Sequence, residues 1–313
     1  MTERERRTMQ IPEGLEDERL DAALARLLGL SRTSIGELIE NKEVLLNGHA
    51  AVKSTRVSFG DHIEVLMPGA EQPLGLVPTP APNLQIVYAD DDIIVVDKPQ
   101  GVAAHPSPGW HGPTVNGAII ASGIQIETSG VAERQGIVQR LDVGTTGLMV
   151  VAKSELAYSE MKEKFRRREV KKIYHALIQG YMDPSTGTID APIDRHPRDD
   201  YKFAVVADGR SSITHYSTLE MFPAVSLLRV ELETGRTHQI RVHFSALRHP
   251  LVGDLIYGAD HTIAERLNVD RPWLHACELS FTHPRTGVSL TFTSQYPEDL
   301  TRSLEILRGE IRK

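Results

Sequence analysis

Cysteine is nearly absent: Cys277 is the one thiol in 313 residues. No disulfide can close within the chain, and no thiolate metal cluster can form. Cys277 is expected to act as a small core hydrophobe, and a reducing, cytoplasmic setting fits. No apolar run reaches membrane-spanning length, and no apolar segment follows residues 1–7 to serve as a signal peptide, so no membrane partner is expected. Nucleotide-gripping loops are missing: there is no Gly-x-x-x-x-Gly-Lys-[Ser/Thr] and no Gly-x-Gly-x-x-Gly. The 13 histidines never take His-Glu-x-x-His spacing. His238 and His243 stand five apart, on different helix faces, so no metal is expected. No Gly-x-Ser-x-Gly elbow is present for serine hydrolysis. Positive charge is also short, with 35 Lys and Arg against 42 Asp and Glu, a net −7. Taken alone, that disfavours nucleic acid, since phosphate contacts need cations. A local basic stripe can outweigh the sum.

What is present is an ordinary globular composition, 40% hydrophobic and 25% charged, with length for one large domain and a small one. Residues 1–16 read as a mobile charged tail. Within 17–67, leucines at 20, 24, 27 and 28 have amphipathic-helix spacing, stopped by Gly29. A second helix runs from a Ser31 cap to Glu40, with Ser34 and Glu37 placed for a capping box. Asn47-Gly48 between short apolar runs signals a hairpin, and a strand follows near 61–67. Five prolines in 68–83 make a semi-extended linker.

The rest, 84–313, alternates strands with few helices. A hairpin spans 84–97 around Asp90, Asp91 and Asp92. A short helix follows at 114–122, then a loop at 124–135. After an apolar strand at 148–152, Ser154 caps a helix to about 168. A strand covers 172–180, and 183–210 reads as irregular. Strands at 211–221 and 225–234 lead to a helix capped by Thr237, with Ile240, Phe244 and Leu247 facing inward. Strands at 279–281 and 288–293 and a helix from Pro297 close the chain. The pattern predicts an α+β fold: a mixed, mainly antiparallel sheet with peripheral helices, plus the small α/β module.

One carboxylate stands out. Asp142 follows Arg140 and Leu141, and precedes a tight turn with Gly144 and Gly147 and then the apolar strand. An isolated Asp there would simply start a turn and accept from backbone amides. An acid held on a rigid turn among apolar residues is also a place for chemistry. The Asp-x-Asp-x-Thr phosphatase loop is a rival, but its second Asp is missing at Gly144. Residues 162–172 hold seven Lys and Arg against two Glu. Such a run is usually a solvated helix face. This one leads into the strand carrying Tyr174, where cations could hold a backbone and the ring could stack on a base.

Arg140-Leu141-Asp142-x-x-Thr145-Thr146-Gly147, followed by an apolar strand and Ala152-Lys153, resembles the catalytic motif of the RluA/RluD-type RNA pseudouridine synthases. Lys98-Pro99-Gln100-Gly101, with His105-Pro106, resembles the first motif of that family. Lys172-Ile173-Tyr174-His175-Ala176 followed by Gly180 resembles its second. Thr234-Gly235-Arg236-Thr237-His238-Gln239-Ile240-Arg241-Val242-His243 matches its third without a gap. The resemblance spans 84–293, and 17–67 is similar to the S4-like RNA-binding domain.

The resemblance implies an isomerase that breaks the uracil N1–ribose bond, turns the base and rejoins it through C5. It needs no redox step, metal or other cofactor. Large-subunit ribosomal RNA is the implied substrate. Asp142 is implied as the catalytic carboxylate. A buried Asp without a partner would go neutral, so it needs a cation; Arg241 is implied as that cation, always charged and able to bond both oxygens. Tyr174 is implied to pack on the target base, and Arg140 to fill the space left by a flipped uridine or hold a phosphate. Lys98 and His105 are implied to brace the loop. RNA-binding candidates are Arg166, Arg167, Lys171 and Lys172 in the large domain, and Arg32, Lys42, Lys53 and Arg56 in the small one. Two departures stand beside Asp142: Gln139 replaces the usual His, and Val143-Gly144 replaces a charged pair. A non-catalytic RNA-binding or ribosome-assembly factor with the same fold is the second reading. A monomer is expected.

Overall fold

Residues 5–28, 32–67, 76–107, 109–126 and 134–311 are described in the computed structural model, without the side chains at 32–34 and 200. The chain divides into two compact units, Met1–Pro73 and Leu74–Lys313. No helix among the described residues is long and apolar enough to cross a membrane.

The first unit runs β1 (Arg6–Gln10), α1 (Leu20–Leu28), α2 (Arg32–Glu40), β2 (Val44–Leu46), β3 (His49–Ala50) and β4 (His62–Leu66). Its strands lie in the order β1-β4-β2-β3. Leu20, Leu24, Ile35, Ile39 and Ile63 fill its core. Asn47 and Gly48 join β2 to β3 with φ of 51° and 79°, the left-handed pair that a two-residue hairpin turn demands. Residues 6–10 correct the expected mobile tail. They pair along β4, with Met9 opposite Ile63, because buried Ile11 and Leu15 anchor the chain just beyond. Leu27, expected inward, is exposed in the last turn of α1. The stop at Gly29, the cap at Ser31, the Ser34 side chain and linker residues 68–75 fall outside the described residues.

The second unit opens with β5 (Gln85–Ala89) and β6 (Ile93–Lys98), then α3 (Val115–Ala121), β7 (Thr146–Ala152), α4 (Glu155–Arg166) and β8 (Lys171–Gln179). Ser154 caps α4 by accepting from the Ala157 N–H. Next come β9 (Thr186–Asp190), β10 (Ile193–His196), β11 (Asp199–Val205), β12 (Ile213–Phe222) and β13 (Val225–Leu232). The chain ends with α5 (Gln239–Ala246), α6 (His261–Leu267), β14 (Leu274–Thr282), β15 (Ser289–Thr293) and α7 (Glu298–Ile311).

One large sheet has the order β5-β6-β7-β14-β8-β13-β12-β9, with β15 added on β14. Its described pairings are antiparallel except the parallel pair β7–β14. The architecture is the α+β, mainly antiparallel one predicted. Ile94, Val96, Met149 and Val151 face one core. Ile93, Val95, Leu148 and Val150 face another, where Ala157 and Met161 of α4 cover them. Covering both faces explains why β6 and β7 read as unbroken apolar runs instead of alternating ones.

Three expectations change. Residues 183–210 hold β9, β10 and β11. β9 is an edge strand of alternating intermediate and exposed positions, and the separate β10–β11 hairpin rests on little more than Ile193 and Phe203. Neither needs enough apolar residues to leave a strand signal. Leu247 is exposed because it lies past the last turn of α5, while Ile240 and Phe244 are buried as expected. The residue before α5 is His238, with φ 56° and no side-chain capping bond, so Thr237 is not the cap.

Candidate active site

Asp142 sits on a turn closed by the Thr145 N–H, which donates to the Asp142 carbonyl at 3.0 Å. The next strand, β7, is buried at all seven positions and gives the turn a fixed end. Two buried cations grip the turn itself. Lys98 Nζ donates to the carbonyls of Pro99, Val102 and Val143 at 3.0, 2.8 and 3.3 Å. Burial pulls the Lys98 amine down to about 7, against the opposing charge of Asp142. Arg271 donates to the Gly144 carbonyl at 2.8 Å and is itself held by Asp299 at 2.7 and 3.1 Å. Gly147 is required where β7 meets β14: at φ 110°, a Cβ there would stand 2.3 Å from the Ala276 carbonyl oxygen.

Arg241, on α5, is 5% exposed. Its Nη1 donates to Asp142 Oδ2 at 3.1 Å, while Nε and Nη2 fork onto Asp254 at 2.7 and 2.9 Å. Burial works against the guanidinium charge, but the hydrogen bonds to Asp254 and the charge of Asp142 outweigh it and push its pKa up. The Tyr257 ring lies under the guanidinium at 4.9 Å. His238 Nε2 faces Asp142 Oδ2 at 3.8 Å. Tyr174, on β8, pairs with Val230 of β13 on one side and Ala276 of β14 on the other. Its phenol is pushed up by burial and by the Asp142 charge, so it stays protonated. The cavity holding the carboxylate is lined by Asp142, Tyr174, Thr145, Leu232, Ile240 and Arg241, among others. Arg140 also lines it and donates to Thr237 Oγ1 at 3.0 Å.

A basic trough adjoins this cavity across Arg140, Tyr174 and Arg236. Lys162, Arg166, Arg168 and Lys172 also line it, with Phe165 between them and Glu233 as its one carboxylate among the described residues. Arg168 bonds Glu233 at 2.7 Å. The Lys172 amine is lowered to about 8, first by burial and then by the nearby Arg168 charge. Such an arrangement fits a polyanionic backbone leading to one base position.

Of the residues singled out in the sequence, Asp142, Arg241, Tyr174 and Arg140 meet around one cavity, and Arg166 and Lys172 line the trough. Arg167 and Lys171 do not line it: Arg167 bonds Glu163, and Lys171 pairs with Glu278 at 3.1 Å. In the first unit, Lys42 and Lys53 gather with Arg19 around a surface pocket. Lys53 pairs with Glu40 at 2.6 Å, and Arg56 with Asp17 at 3.2 Å. The Arg32 side chain lies outside the described residues. Gln139 donates to the Leu148 carbonyl at 3.3 Å, tying the loop to β7, while its Oε1 is buried without a partner among the described residues. Sequence reasoning missed Asp254, Tyr257 and Arg271 as partners of the site and Arg236 as a trough residue; Lys162 and Arg168 were part of the basic run it read as a backbone contact, though not named singly. Nothing in the sequence says that Asp254, 13 residues beyond Arg241, returns to it; only the buried fork shows that.

Residues 92–246 match the family model for RNA pseudouridylate synthase, and residues 18–63 match that for the S4 domain. The chain belongs to the RNA pseudouridylate synthase family, isomerases that act on RNA. An uncharacterized RNA pseudouridine synthase of Mycobacterium bovis is 57% identical over 304 residues, covering 97% of this chain and 99% of that one. Ribosomal large subunit pseudouridine synthase D of Nitrosomonas europaea is 40% identical, covering 96% of this chain and 88% of its own length. Among solved structures, human RNA pseudouridylate synthase domain containing 4 aligns with a TM-score of 0.57 and 26% identity, over 72% of this chain and 93% of that one.

Proposed function

We propose that the enzyme converts uridines of large-subunit ribosomal RNA to pseudouridine, with Asp142 as the reacting carboxylate and no cofactor. The observation that carries this reading is the ion pair between buried Arg241 and half-buried Asp142 beside Tyr174, at the end of a basic trough. Relatives at 36% and 40% identity, from Escherichia coli K12 and Nitrosomonas europaea, are ribosomal large subunit pseudouridine synthases, which supports the choice of RNA. That substrate also fits a cytoplasmic enzyme. The 17–67 module adds an orienting RNA contact through Arg32, Lys42, Lys53 and Arg56, and 84–313 carries the chemistry.

In this reading, the trough cations hold phosphates while the target uridine leaves its stack. Arg140 occupies the space or holds a phosphate, and Tyr174 packs against the uracil. Cleavage of the C1′–N1 bond leaves its electron pair on the uracil. The base turns, C5 bonds to C1′, C5 loses its proton and N1 gains one, so the reaction is balanced without an oxidant. Whether Asp142 attacks or takes a proton, the reacting form is the carboxylate, and the fixed guanidinium of Arg241 holds one of its oxygens in place.

Asp142→Asn should abolish pseudouridine formation and leave RNA affinity within about twofold, since the trough is untouched. A carbodiimide-based pseudouridine map of ribosomal RNA from cells with and without the protein is the direct check. Unchanged maps, or an active Asn variant, would refute the reading.

A further inference from the structure

The two oxygens of Asp142 are not equivalent. Arg241 donates to Oδ2, and His238 Nε2 faces that same oxygen. Among the described residues Oδ1 receives no protein hydrogen bond.

His238 has its tautomer chosen by its neighbours. Its Nδ1 lies 2.8 Å from the Tyr257 hydroxyl. That hydroxyl oxygen already accepts from the Phe203 N–H at 3.1 Å. His238 Nδ1 is the one acceptor that hydroxyl meets among the described residues, so the phenol turns its proton toward Nδ1. The imidazole proton is then on Nε2 and faces a carboxylate, whereas the other tautomer would set a lone pair against it. Burial keeps the ring neutral, pushing His238 below its ordinary value despite the Asp142 charge. The backbone agrees. His238 holds a left-handed φ of 56°, a conformation that a residue with a side chain keeps where its surroundings over-determine it. Here the rings of Phe203 and Tyr257 meet the imidazole edge-on, at 5.8 and 5.6 Å.

We propose that His238, held as the Nε2–H tautomer by Tyr257, is a positioning residue that works with Arg241 to fix Oδ2 of Asp142 and present Oδ1 to the uridine. This rests on Asp142 being the reacting carboxylate. Arg241 alone leaves the carboxylate able to turn about its Cβ–Cγ bond and exchange its oxygens. A second donor, reaching Oδ2 from another direction, removes that freedom. At 3.8 Å the contact is electrostatic, and a small shift of the ring makes it a hydrogen bond when substrate closes the site.

The test uses a large-subunit ribosomal RNA transcript carrying tritium at uracil C5, which is released when C5 loses its proton. Single-turnover release gives the rate, and filter binding gives the affinity. His238→Ala should slow release by on the order of tenfold with affinity unchanged. His238→Gln, which restores an N–H near the Nε2 position, should recover part of the rate. Tyr257→Phe should slow release less than His238→Ala. Adding it to His238→Ala should slow nothing further, because Tyr257 acts through His238. A wild-type rate in His238→Ala would overturn the proposal, and so would a double variant slowed by the product of both single effects. If thermal melts show His238→Ala unfolded, the cycle of His238→Gln with Tyr257→Phe carries the same comparison. Asp142→Asn keeps the two readings apart. If it is inactive while His238→Ala is normal, only the role of His238 fails; if Asp142→Asn is itself active, the reading of Asp142 fails.

Discussion

The Arg241 guanidinium answers to two carboxylates, and they need it for different reasons. Asp254 is 1% exposed and takes both of its hydrogen bonds from Arg241. Asp142 lines the open cavity and takes one. Replacing Arg241 by Met would strand a buried charge, and should cost roughly 3–5 kcal/mol of stability in urea melts, as well as the activity. Arg241→Met with Asp254→Asn should recover much of that stability without recovering pseudouridine formation. Lys172 gives a second residue-level prediction. Burial and Arg168 hold its amine at about 8, and a bound phosphate favours the charged form. RNA affinity should therefore be full below pH 8 and fall as pH rises through that value. Lys172→Arg, which stays charged, should flatten the fall in a binding titration across pH 7–9.5.

β7 shows what an element's sequence can and cannot reveal. Its apolar run was legible as a buried strand, and Gly147 as part of a turn. The reason Gly147 must be glycine was not, because it lies on β14, more than a hundred residues later, whose Ala276 backbone closes over it. Gly147→Ala forces either a left-handed alanine or a separation of the one parallel pair. It should destabilise the protein by about 2–4 kcal/mol, read as a lowered denaturation midpoint. The elements that escaped the sequence reading, β9 to β11, failed for the opposite reason. They bury so few side chains that periodicity has nothing to register, although Phe203 on β11 reaches the His238–Tyr257 pair through both its ring and its N–H. The three motif residues around Asp142 were legible because each sits in a contiguous stretch. The Asp254 fork and the Arg271 grip were not, because their partners are joined only by the fold.

For the whole molecule, the net charge of −7 is a poor guide to its partner. The acids are spread along the chain, while the trough gathers Arg140, Lys162, Arg166, Arg168, Lys172 and Arg236. Reversing Arg166 and Lys172 together should reduce the slope of log affinity against log salt by roughly 1.5–2, as expected for two lost phosphate contacts. Reversing Arg167 and Lys171, which lie off the trough, should change it less. The grip of Arg271 and Asp299 on Gly144 has a consequence in time as well as in space. A growing chain that has passed residue 250 already holds Asp142, Tyr174 and Arg241. It still lacks β14, which lies beside β7 opposite β6, the arginine that fixes the turn, and the helix that fixes the arginine. Contacts between residues so distant in sequence form late. The enzyme should therefore become competent only once the stretch from Arg271 through Asp299 has left the ribosome, which arrested nascent chains of increasing length would reveal as an abrupt onset of activity.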